Sequence, residues 1–151
     1  MVVFEGREGL AAHVGEDLGH GSWVRVTQDR INQFAEATGD RQWIHVDVER
    51  AKTGPYRKTI AHGLLTLSML GELTKEVFRF QGFKMGINYG YEKVRFPAPV
   101  PVDSNLRLRA KILSTEEVSG GAIQTIMELT IEVEGLSKPA CVAQMIFRHV
   151  P

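Results

Sequence analysis

With 151 residues, 43% of them apolar and 24% charged, the chain has the size and composition of one globular domain, residues 1–151, that buries a core without disulfide support. Eighteen basic residues balance eighteen acidic ones, so the charge favours neither a nucleic-acid partner nor a membrane surface. The single cysteine, Cys141, and an N-terminus without a basic flank or a long apolar run predict a reducing, cytoplasmic location.

The N-terminal part of the chain predicts only short elements. Residues 5–20 carry a weak helical pattern, and residues 22–26 predict a short strand. Thr27 then suits a helix N-cap, and an apolar stripe at helical spacing follows it. Gly39 predicts a left-handed end to that helix.

The middle of the chain predicts one long helix on which the rest is organised. Residues 40–47 are dense in polar groups and are predicted to be irregular, and residues 48–51 predict one further helical turn. Residues 60–80 are apolar on nearly every side at first and on one side later, which is typical of a helix that emerges from a core. We therefore expect a mostly buried helix over this stretch.

Four strands are predicted after that helix, because apolar residues alternate with polar ones. A change of phase near Glu92 and Lys93 predicts a bulge in the first strand, and Gly86 and Gly90 predict a close approach of its backbone to the helix or to a ligand. The other three strands are short-linked and predict a meander. The fold class is thus α+β, one helix against an antiparallel sheet, with predicted strands at residues 83–96, 106–112, 123–133 and 141–147.

Asp40 and His45 are the first candidates for chemistry. They lie five residues apart, a spacing that neither a helix nor a strand places on one face, so they meet only if the segment turns. A carboxylate and an imidazole about one water molecule apart form a general acid–base pair. The alternatives are structural: Asp40 could bond the backbone of its own turn, and His45 could be a buried histidine with its hydrogen bonds satisfied.

His62 and Gly63 are the second candidates, since they stand where the long helix is predicted to begin. A glycine at a helix start lets a substrate oxygen approach the backbone N–H, where the helix dipole favours negative charge. The alternative is a histidine that caps or packs at the helix entrance. His45, Asp47 and His62 form only a weak pattern for a metal, because no third ligand has a fixed spacing, and no metal is expected.

Together these segments resemble the MaoC-like (R)-specific enoyl-CoA hydratases, in the branch that includes NodN. The resemblance is carried by residues 34–47, with Gly39-Asp40 followed by His45-x-Asp47, by residues 60–65 at the helix entry, and by residues 94–100. It implies the hot-dog fold, a curved antiparallel sheet wrapped around one long helix. It also implies a hydro-lyase that reversibly adds water to trans-2-enoyl-CoA in fatty acid metabolism.

The resemblance also implies roles for individual residues. Asp40 and His45 would share the catalytic acid and base roles, in either order, and Gly63 would bind the thioester oxygen through its N–H. Gln42 and Trp43 stand where many members have Asn and Pro, so Gln42 could still hold the Asp40 carboxylate, and Trp43 could reshape the acyl pocket. Both, with His62, are expected to contact substrate.

The same resemblance implies a homodimer and an acyl thioester substrate carried on coenzyme A or acyl carrier protein. No cofactor is expected, because the thioester itself acidifies the α-carbon. Two alternatives stay open. One is a hot-dog thioesterase with Glu72 as its carboxylate, although Glu72 stands where the helix becomes polar. The other is a non-catalytic module that binds acyl thioesters.

Overall fold

A six-stranded antiparallel sheet dominates the computed structural model, which describes all residues from 1 to 151. Its strands are β2 (Asp17–His20), β3 (Val24–Arg25), β5 (Met85–Arg95), β6 (Asn105–Glu117), β7 (Ile123–Val133) and β8 (Cys141–Val150). A separate parallel pair consists of β1 (Val2–Glu5) and β4 (Phe78–Gln81). The helices are α1 (Gly6–Ala12), α2 (Gln28–Thr38), α3 (Trp43–Val46), α4 (Val48–Ala51), α5 (Gly63–Ser68) and α6 (Leu70–Val77).

The strands are ordered β2-β6-β7-β8-β5, and β3 also pairs with β6. This confirms the predicted meander of the last three strands. Every second residue of β7, from Ile123 to Val133, is buried, as expected for a strand with one face on the core. On the other face Arg107 donates to Glu132 across the β6–β7 pair at 2.7 Å, so a basic residue of one strand pairs with an acidic residue of its neighbour.

The central helix lies against the sheet as predicted, but it is shorter than residues 60–80. It begins at Gly63, is interrupted at Met69, and ends at Val77. Phe78 and Phe80, predicted to continue the helix, are extended in β4, where they pair with β1 and pack on Phe4 at ring-centroid distances of 5.9 and 5.6 Å. Packing of these rings against the N-terminal strand β1 therefore outweighs the helical pattern of this stretch.

The N-terminal elements are more regular than the sequence predicts. The weak helical pattern in residues 5–20 corresponds to the complete helix α1, and β2 follows it without having been predicted. The strand predicted at residues 22–26 is only the two residues of β3. The caps of α2 are confirmed. The Thr27 side chain accepts a hydrogen bond from the Arg30 N–H, and Gly39 ends the helix with φ 81°.

The edge strand β5 confirms the predicted bulge, because its register with β8 shifts between Tyr91 and Lys93. A second shift lies between Asn88 and Gly90. The close approach predicted at Gly86 is present but involves neither the helix nor a ligand. A Cβ on Gly86 would lie 2.7 Å from the His149 ring, so the glycine makes room for a buried histidine.

Candidate active site

His45 lies on α3, a single helical turn inside the segment predicted to be irregular, and three long-range contacts fix that turn. The Ile60 N–H donates to the Ile44 carbonyl at 3.0 Å. The Gln28 side chain donates to the His45 carbonyl at 2.8 Å, and the buried Thr59 hydroxyl donates to Gln28 in turn. Gln28 and Thr59 were not recognised in the sequence.

The His45 imidazole is 7% exposed, and its Nδ1 lies 2.7 Å from the Ile60 carbonyl oxygen. A carbonyl oxygen only accepts hydrogen bonds, so Nδ1 carries the proton and the neutral ring keeps an acceptor at Nε2. The only hydrogen bond of the His45 ring within the protein is the one made by Nδ1, and the residue lines a cavity. Burial lowers the pKa of His45 although the Ile60 carbonyl and the Asp40 charge oppose it, which favours the neutral, accepting form at pH 7.

Asp40 directly follows the end of α2 and is exposed. One Asp40 carboxylate oxygen and one ring nitrogen each of His45 and His62 lie within 4.8 Å of one another. The turn therefore brings the two predicted residues together, at a separation that one water molecule can bridge. The structural alternative for Asp40 is present as well, since its Oδ1 accepts the Gln42 backbone N–H at 3.3 Å.

His62 is 3% exposed and does not line the cavity. Its ring stacks on His45 with centroids 3.8 Å apart and an interplanar angle of 23°. Its Nε2 lies 2.9 Å from the backbone carbonyl of Asp40, to which it donates, and its Nδ1 has no partner. His62 thus touches both candidate catalytic residues while it lies behind them.

The cavity has a volume of about 340 Å³ and begins where α5 begins. The first hydrogen bond of that helix runs from the Thr66 N–H to the His62 carbonyl, so the Gly63 N–H precedes it and no side chain caps it. A Cβ on Gly63 would lie 3.2 Å from the Phe96 ring, which forms the facing wall. The lining residues are His45, Tyr56, Ile60, Ala61, Gly63, Thr66, Phe96, Ala98, Pro99, Val100 and Ala140.

Gln42 and Trp43 lie beside this cavity rather than on its wall. Gln42 reaches the Asp40 carboxylate through its backbone N–H and not through the side-chain amide expected to hold it. The Trp43 ring lies under Arg50, whose guanidinium carbon is 4.3 Å from its centroid, and a Cβ on Gly54 would lie 3.0 Å from it. Trp43 therefore supports the Gly54 turn, which precedes the lining residue Tyr56.

Asp40, His45 and His62 are close enough to one another to be considered as metal ligands. Their orientation does not favour this role. Each imidazole uses one N–H for a backbone carbonyl, and the rings are nearly parallel, so their in-plane lone pairs do not converge on one point. The separation suits instead a water molecule between the Asp40 carboxylate and the His45 imidazole.

The fold is that of a hot-dog protein. Residues 10–134 match the MaoC like domain model, a range that includes every candidate site residue. The chain is 50% identical over 150 residues to 3-hydroxyacyl-thioester dehydratase Z of Mycobacterium tuberculosis, covering 99% of both chains, and 38% identical over 139 residues to nodulation protein N of Rhizobium leguminosarum bv. viciae, covering 91% and 86%.

Solved structures agree on the fold. The (R)-hydratase from A. caviae involved in PHA biosynthesis superposes with a TM-score of 0.71 at 21% identity, covering 91% of this chain and 96% of that one. R-hydratase PhaJ1 from Pseudomonas aeruginosa gives 0.69 at 20% identity, covering 91% and 81%.

The chain belongs to the MaoC-like dehydratase family. The predicted family, its hot-dog fold and its enzyme class, a hydro-lyase, are thereby confirmed. None of the helices has both the length and the apolar character needed to cross a membrane.

Proposed function

We propose that this protein catalyses the reversible, (R)-specific addition of water to trans-2-enoyl thioesters, and the reverse dehydration of 3-hydroxyacyl thioesters. One observation carries the proposal: His45 and Gly63, with its unpaired N–H, line one cavity, and a ring nitrogen of His45 lies within 4.8 Å of the carboxylate of Asp40, which stands outside the lining. Membership of the dehydratase family and the 50% identity to a 3-hydroxyacyl-thioester dehydratase support it. The substrate is carried on coenzyme A or acyl carrier protein.

In the hydration direction one water molecule binds between Asp40 and His45, both of which accept hydrogen bonds. As its oxygen forms a bond to the β-carbon, one of these two groups takes its proton. The π electrons of the enoyl group move onto the thioester oxygen, and the Gly63 N–H stabilises the enolate charge there. The enolate then collapses as the α-carbon receives a proton from the same pair, so no proton is gained or lost overall.

No metal or organic cofactor takes part in this scheme, because the thioester already acidifies the α-carbon and stabilises the enolate. The stacked rings of His45 and His62 agree with this, since they do not aim at a common ion. Elemental analysis of the purified, active protein checks the point. A stoichiometric metal whose removal abolishes turnover would contradict it.

The thioesterase alternative loses its candidate carboxylate. Glu72 is exposed on α6, pairs with Arg30 at 2.9 Å, and lies outside the residues that line the cavity. The solvent-facing interpretation of Glu72 is therefore the correct one. A thioesterase of this chain would need another base within the same cavity.

We also propose that the protein is a homodimer joined at β5. This strand is an open edge of the sheet, and three of its large apolar side chains, Met85, Ile87 and Tyr89, are exposed. An open edge with an apolar face is a site for pairing with a second copy.

The test of the function is incubation with crotonyl-CoA, with the enoyl absorbance and free thiol followed together. Loss of absorbance without thiol release is the expected result. Release of thiol would instead indicate a thioesterase, and binding without either change would indicate a non-catalytic module. A coupled assay with an (R)-3-hydroxyacyl-specific dehydrogenase reads the stereochemistry of the product.

Two substitutions then assign the activity to the site. Asp40→Asn keeps the oxygen that accepts the Gln42 N–H but removes the charge, and His45→Asn keeps a donor near Ile60 but removes Nε2. Each should lower turnover by about a hundredfold or more. The double variant should lose little beyond the worse single variant, because groups that handle one water act as a unit.

Asp47→Asn is the matched control. Its carboxylate also accepts a local backbone N–H, that of Arg50 at 3.0 Å, and Asn is an equally good cap. Asp47→Asn should therefore keep both turnover and stability. If Asp40→Asn behaves in the same way, Asp40 is only a turn residue and the mechanism is wrong.

A further inference from the structure

The His62 side chain contacts both Asp40 and His45. No hydrogen bond joins Asp40 to His45 directly, and the other hydrogen bonds of Asp40, to Thr38 and Gln42, are local. The bond from His62 Nε2–H to the Asp40 carbonyl is the only one that ties Asp40 to a distant part of the chain, 22 residues away. The position of Asp40 relative to the core therefore depends on His62.

His62 also holds the His45 ring in place, because the two imidazoles stack face to face. The two rings are nearly parallel, with centroids 3.8 Å apart, and the Phe34 ring also packs on His62, with a centroid distance of 4.9 Å and an interplanar angle of 56°. His45 is held at its edge by the Ile60 carbonyl and at its face by His62. Rotation of either His45 or the Asp40 turn away from the other would break one of these contacts.

The chemistry of His62 is unusual for a residue that serves packing alone. Its Nδ1 is buried without a partner, and such an atom lowers stability. A phenylalanine would stack on His45 and Phe34 equally well without that loss. The atom that distinguishes His62 from a phenylalanine is therefore Nε2, whose hydrogen bond goes to the Asp40 backbone carbonyl.

We propose that His62 is a positioning residue, which sets the distance between the Asp40 carboxylate and the His45 imidazole by donating to the Asp40 main chain while it stacks on the His45 ring. The proposal rests on the proposed hydratase function and replaces the expected substrate contact for His62. It requires a loss of turnover without a loss of substrate affinity when the donor is removed.

Two variants separate the two contacts. His62→Phe keeps the stacked ring and removes the donor, whereas His62→Gln keeps a donor at a similar distance from the backbone and removes the ring. His62→Phe should lower kcat for crotonyl-CoA by about a hundredfold, as a misplacement of about 1 Å does, with KM unchanged. His62→Gln should recover part of that loss.

His149→Phe is the matched control, because His149 is also a buried histidine with an unpaired Nδ1 but lies outside the cavity of His45. It should keep wild-type kcat. An unchanged kcat in His62→Phe would overturn the proposal. A raised KM with unchanged kcat would overturn it too, since His62 would then contact substrate.

An activity-independent readout keeps the proposal separate from the proposed function. The Asp40 charge raises the pKa of His45, so Asp40→Asn should lower that pKa in an NMR titration. In the His62→Phe background the effect of Asp40→Asn should shrink, because the carboxylate is no longer held near the ring. An equal effect in both backgrounds would refute a positioning role, even if the wild-type protein hydrated no enoyl thioester.

Discussion

His149 should make the protein lose stability in mild acid, and the structure gives the size of that loss. The residue is 3% exposed in β8, its ring lies 4.1 Å from Phe80 and 4.7 Å from Phe83 by centroids, and its Nδ1 has no partner. Burial lowers the pKa of His149 from 6.5 to about 4. The folded protein therefore excludes a proton that the unfolded chain accepts.

The sign and the magnitude follow from linkage. Above pH 6.5 the histidine is neutral in both states, so it causes no pH dependence. As the pH falls from 6.5 towards 4, only the unfolded state is protonated, and the free energy of unfolding drops by about 1.4 kcal/mol per pH unit. The loss is about 2–3 kcal/mol at pH 4.5 and is complete, at about 3 kcal/mol, below the folded-state pKa.

Urea unfolding at pH 7.5 and pH 4.5, at one fixed protein concentration, measures this loss. In His149→Phe the difference between the two pH values should be smaller than in wild type by about 2–3 kcal/mol. If His149→Phe loses as much stability between pH 7.5 and pH 4.5 as wild type does, protonation of His149 on unfolding is not the cause of the loss.

The remaining predictions concern the helix start and the sheet edge. Gly63→Val should lose turnover while the melting temperature holds or rises, because a Cβ there would meet the Phe96 ring 3.2 Å away and crowd the N–H, whereas glycine is a poor helix former. If the double variant Gly63→Val/Phe96→Leu recovers the wild-type rate, the loss in Gly63→Val came from displacement of the Phe96 ring. The Gly63 N–H would then have no part in the mechanism. Light scattering should show a dimer at micromolar concentration, and Ile87→Lys on the exposed face of β5 should yield monomers. A monomeric wild-type protein would contradict the edge-to-edge assembly.

The sheet was predictable because a long segment in which apolar and polar residues alternate is typical of a strand and of no other element. In β7 the period of two persists over 11 residues, far more than a helix pattern tolerates. The end of the central helix was not predictable in the same way. Phe80 fits a helical stripe with Leu73 and Val77 as well as it fits an extended strand, and the contact that decides between them is with β1, more than 70 residues earlier in the chain.

The site was predictable as a set of residues but not as an arrangement. The spacing of Asp40 and His45 required a turn, and the turn that joins them is α3, which the polar composition of residues 40–47 concealed. Trp43 is the first residue of that turn. The resemblance to the hydratases marked the right segment, whereas the packing of Trp43 on Arg50 follows only from the structure.

The hydrogen bonds that support the site were not predictable from the sequence, for a physical reason. The side chains of Gln28, His45 and His62 each donate a hydrogen bond to a main-chain carbonyl, those of His45, Ile60 and Asp40 respectively. Every residue has a carbonyl, so the acceptor position leaves no trace in the sequence, and only the donor side chain is visible. Such donors resemble ordinary polar residues until the fold shows what they reach. It follows that the side chain of Ile60 is free to vary as far as these bonds are concerned, whereas Gln28, His45 and His62 must each keep a donor for the pair to stay aligned.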